Sequence, residues 1–165
     1  MDKHPSSAYV IRFADCDPFG HLNNARYLDY FLHAREEHLE QAYQLNLADH
    51  YKKGLSWVVG GHQVSYLKPA AYRERVCISS MLIGADANSL LVEMMMTDAA
   101  RAQLKSLLWT RFIPVDIQSG KRREHPADFM TFAHSITVAG IDVAAGYDHR
   151  LKAILASFKK ELQQT

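Results

Sequence analysis

The chain is short of several things, and each absence narrows what it can be. Its 165 residues include only two cysteines, Cys16 and Cys77, without metal-ligand spacing. This argues against a disulfide framework and a zinc site. Nineteen Lys and Arg stand against eighteen Asp and Glu, a net charge of +1, so charge implies no nucleic-acid partner. No apolar run approaches the roughly 20 residues of a membrane span. The opening MDKHPSSAYVIRF has no apolar h-region and does not read as a signal peptide. The histidines are scattered and form no His-Glu-x-x-His pair. There is no internal repeat and no low-complexity segment. These absences favour a cytoplasmic chain that needs no metal or other cofactor and does not bind membranes.

What is present is the composition of an ordinary globular protein, 48% apolar and 22% charged. The length suits one domain, residues 1–165, able to bury a real core.

The densest stretch is residues 11–35, IRFADCDPFGHLNNARYLDYFLHAR. An apolar and aromatic run, Tyr9 to Phe13, stops at Asp15 and Asp17. A turn, Pro18-Phe19-Gly20, leads to His21, to the pair Asn23 and Asn24, and to a helical pattern rich in aromatics. Acids, an imidazole and carboxamides thus lie between a strand and a helix N-terminus. That terminus offers free N–H groups and a partial positive charge. A carboxylate beside such an electrophilic end suits the splitting of an activated acyl group.

DCDPFGHLNNARYLDYF resembles the signature of the hotdog-fold thioesterases, in the branch with 4-hydroxybenzoyl-CoA thioesterase and the YbgC-like acyl-CoA thioesterases. SWVVGGHQVSYLKPAAYRERVCI is similar to that family's central strand, its Tyr-Leu-x-Pro-Ala turn and the next strand. SLLWTRFIPVDIQSGKRREHP is similar to the last long strand and its Gly-Lys turn. The resemblance covers roughly residues 9–130.

Periodicity supplies the elements independently. Leu28, Phe31, Leu32, Leu39, Ala42 and Tyr43 share a stripe, with Asp29, His33, Glu36, Glu37 and Glu40 largely opposite, so residues 25–43 form an amphipathic helix. Asn23 or Asn24 is its natural N-cap. Lys52-Lys53-Gly54 reads as a loop. Residues 57–67 form a strand in which Val58, His62, Val64 and Tyr66 share a face, and Gly60-Gly61 signals a bulge or a close backbone approach. Residues 75–84 and 89–97 form a hairpin around Asp86-Ala87-Asn88; LLVEMMMT also suits a helix, but the preceding turn makes it a strand. Residues 103–115 are the last strand, ended by Gln118-Ser119-Gly120-Lys121. One helix and several strands argue α+β with an antiparallel sheet. The resemblance sharpens this to a hotdog, a sheet wrapped around a long central helix. Residues 131–146 show no assignable pattern. Tyr147, Leu151, Ile154, Leu155, Phe158 and Leu162 then mark a C-terminal amphipathic helix over 147–162. It should dock on its own sheet or on a second copy, as a structural cap or as a lid over an acyl pocket.

The resemblance assigns the catalytic carboxylate to the second acid, Asp17. It would act as nucleophile or as general base. Asp17-Pro18-Phe19-Gly20 is equally an ordinary turn sequence. Asp15 reads as structural, bonding N–H groups of its own loop. Asn24 stands where YbgC-like members carry histidine; it can donate to a carbonyl, orient water or serve as a cap. His21 is either an acid–base assistant or a satisfied turn histidine. Gly20 and Asn23 join it as substrate-binding positions. Lys121, Arg122 and Arg123 are the expected contacts for coenzyme A phosphates, with Arg73 and Arg75 as a second choice. His62 reads as a packed strand histidine. Tyr27, Tyr30 and Phe31 read as core. Met81 and Met94–Met96 either fill the core or line an adaptable acyl pocket.

The function so implied is hydrolysis of an acyl-CoA thioester. Its alternatives are an acyl-carrier-protein thioesterase, a non-catalytic acyl-CoA-binding hotdog and, less well matched by the motif, a dehydratase on the same fold. A single hotdog sheet leaves an open edge, and the family joins sheets with sites between protomers, so a homodimer or homotetramer is expected.

Overall fold

The computed structural model describes residues 2–163, except for the side chains of residues 161 and 162. Five strands form one antiparallel sheet in the order β1-β3-β4-β5-β2. They are β1 (Ser6–Val10), β2 (Leu55–Tyr66), β3 (Arg75–Asp86), β4 (Ser89–Asp98) and β5 (Leu104–Asp116). The helices are α1 (Asn24–Tyr43), α2 (Leu47–Lys52), α3 (Ala127–Ile136) and α4 (Tyr147–Leu162). The sheet wraps α1 on one face, and the fold is the expected α+β hotdog. The first strand lies earlier than the Tyr9–Phe13 run suggests, because Phe13–Asp15 winds into a single 3-10 turn.

Side chains alternate across the sheet. Val76, Ile78, Leu82, Val92, Met94, Met96 and Leu108 form one buried cluster with Tyr27, Phe31 and Ala34 of α1. Met81, Ile83, Leu91, Leu107 and Trp109 point the other way and pack with Tyr147 and Ile154 of α4. The four methionines therefore divide between two cores. None lines the apolar cavity described below.

The glycine pair in β2 does both things expected of it. Register slips between Val59 and Gly61, and a Cβ on Gly60 would stand 2.7 Å from the Ile113 side chain. The bulge corrects the face assignment. Cross-strand partners share a face, and Val59 opposes Phe112 while His62 opposes Thr110 and Val64 opposes Leu108. Val59 therefore joins His62, Val64 and Tyr66, and Val58 points away from them. His62 Nδ1 lies 2.9 Å from Thr110 Oγ1, as a packed strand histidine should.

Helix α1 begins at Asn23, whose side chain accepts the Ala25 N–H at 3.0 Å. It ends in a left-handed Gln44 (φ 54°), with Gln44 N–H on Glu40 O and Leu45 N–H on Leu39 O. Its buried face is Tyr27, Phe31, Ala34, Arg35, His38 and Tyr43. The expected stripe was rotated: Leu28, Leu32, Leu39 and Ala42 are only half-buried on one flank. Two polar side chains enter the core because Ser80 meets both. Arg35 Nη1 donates to Ser80 Oγ at 3.2 Å, His38 Nδ1 lies 2.8 Å from the same oxygen, and Nε2 lies 3.1 Å from Ser7 Oγ.

Two helices were not read from the sequence. Asn46 caps α2 through the Ala48 N–H at 2.8 Å, so Lys52 closes a helix rather than opening a loop. Helix α3 occupies part of the unassigned 131–146 stretch and buries Phe129, Ala133 and Ile136. Beyond it the chain passes the part of β3 that β1 leaves unpaired, where Val138 N–H bonds Leu82 O at 2.9 Å. That passage carries it to the opposite face.

Helix α4 docks on its own sheet, on the face opposite α1 and the apolar cavity. Tyr147 Oη lies 2.9 Å from both Leu107 O and Ser65 Oγ. Arg150 Nε and Nη2 grip the fully buried Glu93 at 2.9 and 2.7 Å, and Trp109 Nε1 donates to the same carboxylate at 2.8 Å. The side chains of Glu161 and of Leu162, the last member of the expected stripe, lie outside the described residues. Arg150→Met should destabilise by about 3–5 kcal/mol by stranding a buried carboxylate. Adding Glu93→Gln should recover most of that loss, as chemical denaturation will measure.

His38 adds a pH dependence. Burial, then the nearby Arg35 cation, lower its pKa from 6.5 to about 4. The unfolded chain takes up the proton over a range where the folded chain refuses it. Stability is therefore full above the ordinary value and is lost as pH falls toward about 4. Urea midpoints measured across that window should decline in acid, and His38→Gln should flatten the decline.

Candidate active site

Asp17 sits in a three-residue hairpin loop. Its carbonyl accepts the Gly20 N–H at 3.0 Å, its N–H donates to His21 O at 2.8 Å, and Gly20 takes a left-handed φ of 75°. This is a turn closed by a glycine bulge, and it explains why glycine stands at position 20. The carboxylate helps to build the turn: Oδ1 accepts the N–H groups of Phe19 at 2.9 Å and His21 at 3.1 Å. Among the described residues Oδ2 has no protein partner. The turn reading and an available carboxylate oxygen thus hold together.

The hairpin is bound tightly to its surroundings. Cys16 bridges Leu22, and His21 bridges Ala71. Leu22 N–H donates to Ala70 O and Tyr72 N–H to Gly20 O, both at 2.8 Å. The 68–74 turn that receives them is anchored by Lys105, whose Nζ meets Pro69 O at 2.8 Å and Glu74 at 2.7 Å. Asn23 N–H donates to Asp15 O at 2.9 Å. Helix N-terminus and acid loop therefore form one stiff segment.

Asn23 is the N-cap, which settles that alternative against Asn24. Asn24 is the first helical residue, with an exposed side chain. Its carbonyl accepts the Tyr66 hydroxyl at 2.9 Å. Ala25 N–H goes to the cap and Arg26 N–H to Asn23 O. Among the described residues the Asn24 N–H has no acceptor and stands free. His21 is half-buried beside the Asp17 carboxylate that holds its N–H.

Asp15 departs from the expectation that it bonds its own loop. Its Oδ2 accepts the Tyr30 hydroxyl at 2.8 Å, and Arg26 lies 4.0 Å away. Tyr30 is therefore not plain core; it orients the first acid. Neither Tyr30 nor Tyr66 was singled out for this role, although Tyr30 lies one helical face from the cap.

The basic cluster is not near Asp17 within the chain. Lys121, Arg122 and Arg123 follow Asp116, which pairs with Leu55 at the start of β2, whereas the Asp17 loop lies at the Tyr66 end. The 12-residue strand separates them, on the order of 30 Å or more at ~3.3 Å per residue. Turns around Gly20 and Gly120 lie at opposite ends of the sheet. Arg73 stands much nearer, with its N–H on Ile11 O and its guanidinium 5.4 Å from the Tyr72 ring.

A separate apolar cavity of about 260 Å³ lies along the half-buried flank of α1. Helices α2 and α3 cover it, with Trp57, Leu82 and Phe112 of the sheet as its floor.

Fold and loop together define a hotdog protein with a hairpin carboxylate held at a helix N-terminus. The model of the thioesterase-like superfamily matches residues 11–133, and the chain belongs to that superfamily. Among solved structures it is similar to a DHNA-CoA thioesterase from Staphylococcus aureus (TM-score 0.75, 18% identity, covering 81% of this chain and 90% of that one). It is also similar to a 1,4-dihydroxy-2-naphthoyl-CoA thioesterase from Synechocystis (0.70, 18%, 79% and 96%) and to the probable thioesterase YbaW from Escherichia coli (0.68, 21%, 81% and 98%). No curated protein matches the sequence.

Proposed function

We propose that the protein hydrolyses an acyl-CoA thioester to the free acid and coenzyme A, with Asp17 as the catalytic carboxylate. One observation carries the reading. Asp17 Oδ1 is fixed by two N–H groups while Oδ2 has no protein partner, on the segment that ends in the free Asn24 N–H. That N–H would polarise the thioester oxygen, where negative charge develops. Oδ2 would either attack the carbonyl carbon, giving a mixed anhydride that water opens, or take a proton from the attacking water. Either route ends with the proton on the departing thiolate and the acid released. The exposed Asn24 amide and His21 flank this space as orienting or proton-handling groups, and Gly20 and Asn23 shape it.

The reading includes a homodimer or homotetramer. Strand β2 is a long edge, with Val58, Val59 and Tyr66 respectively 48%, 41% and 41% exposed. Such an edge invites a partner strand. Antiparallel pairing of two β2 edges would bring the start of one strand beside the end of the other. Lys121, Arg122 and Arg123 of one protomer would then approach the partner's acid loop, where coenzyme A phosphates need cations. This arrangement gives the basic cluster its role despite its distance within one chain. A strictly monomeric mass by light scattering, under conditions of full activity, would overturn it.

An acyl-carrier-protein substrate and a non-catalytic acyl-CoA binder are the competing readings. A panel of thioesters separates them, and the names of two structural neighbours recommend including a dihydroxynaphthoyl group. Wild-type protein should release free thiol from CoA esters and keep doing so in the presence of chelator. Asp17→Asn should retain the fold and lose about 10²-fold or more of the rate. Near wild-type turnover in that variant would sink the assignment.

A further inference from the structure

The cavity along α1 is apolar except for Arg35 and, at its exposed edge, Glu36. Leu32, Leu39, Leu82, Val92 and Phe112 are among its lining residues. Arg35 is 6% exposed, and none of the ion pairs among the described residues includes it. Of its five N–H donors one meets Ser80 Oγ, at 3.2 Å. The guanidinium otherwise stands against Tyr43, 5.6 Å from the ring centre; the buried Tyr43 hydroxyl is near enough to interact with it but makes no hydrogen bond of good geometry. Glu36 borders the same cavity but is exposed and unpaired with Arg35. His38, also on Ser80, can carry only positive charge and supplies no counter-anion. A buried cation without an anion is costly. The molecule already shows how it treats the opposite case, since buried Glu93 receives three donors.

We infer that this cavity binds a compact apolar carboxylate, with Arg35 as the cation that meets its charged end. The size agrees. An apolar cavity of about 150 Å³ holds benzene, so about 260 Å³ suits a bicyclic aromatic acid or a medium-length aliphatic one. The mouth, near Glu36 and the exposed Tyr51, admits the apolar body. The carboxylate is that of a free acid: Arg35 stands on the order of 16 Å along α1 from the Asn24 N–H, at ~1.5 Å per residue, beyond the reach of an eight-carbon acyl group bound there as thioester in the same chain, so the inference does not rest on the hydrolase reading.

Calorimetric titration of the wild-type protein with octanoate and with octan-1-ol tests the inference. Trp57, in the cavity wall, provides a fluorescence signal for the same events. Octanoate should bind about tenfold or more tighter than the alcohol, the scale of a charge-assisted hydrogen bond. Arg35→Met should erase that preference. Should that variant fail to fold, Leu39→Trp fills the cavity while sparing the cation and should weaken both ligands. Equal binding of acid and alcohol to wild-type protein, or unchanged octanoate binding in either folded variant, overturns the inference. Asp17→Asn should bind octanoate normally, so failure of the hydrolase reading leaves this test intact.

Discussion

A sheet that is apolar on both faces is the constraint from which the rest of this molecule follows. Every residue of β5 from Leu104 to Thr110 is buried, and neighbouring residues on a strand point to opposite sides. Neither face can therefore be left to water. Helix α1 covers one and α4 the other, and the segment between α3 and α4 has to travel around the free part of β3. The C-terminal helix buries one face of this sheet as the central helix buries the other. Its strongest polar tie, Arg150 to Glu93, lies under it because β4 directs Glu93 to that face.

The same sheet supports the acid loop from a distance. Lys105, inside β5, holds Pro69 and Glu74 and so stiffens the turn between β2 and β3. That turn in turn holds the Asp17 hairpin through Ala70 and Tyr72. A carboxylate on an exposed loop would ordinarily wander. Here backbone bonds on both sides restrict it, and the Asp15–Tyr30 bond ties the loop's first acid to α1. Against these satisfied groups Arg35 stands apart: it is as deeply buried as Lys105, but its hydrogen bond goes to a neutral hydroxyl. The contrast between the two buried cations, Lys105 with a carboxylate and Arg35 without one, distinguishes a structural ion pair from a cation held in reserve.

Much of the architecture was legible because it rests on local signals. The change of period at Asn23, the hairpin at Asp86-Ala87-Asn88 and the C-terminal stripe each identify an element within a few residues. Asp-Pro-Phe-Gly specifies its turn, and Gly60-Gly61 announced the bulge. What the bulge does to side-chain parity was not legible, because the position of the extra residue decides which face Val58 occupies. Helices α2 and α3 escaped notice because they are short, and most of their stability comes from the wall they share with α1 rather than from their own pattern. Pro126, Asp128 and the spacing of Phe129, Ala133 and Ile136 were the available hint for α3.

The sequence by itself determined the class of fold, the hairpin that bears Asp17 and the cap that starts α1, since turn and cap chemistry depend on residues a few positions apart. Only the tertiary structure decided which flank of α1 faces a cavity, that Arg35 rather than a leucine enters it, and that Lys121–Arg123 lies a strand's length from Asp17. Those outcomes depend on which distant segments meet. A cation on a helix reads as solvated until the residues around it, Ser80 from β3 and Tyr43 from the helix end, show it to be 6% exposed among them.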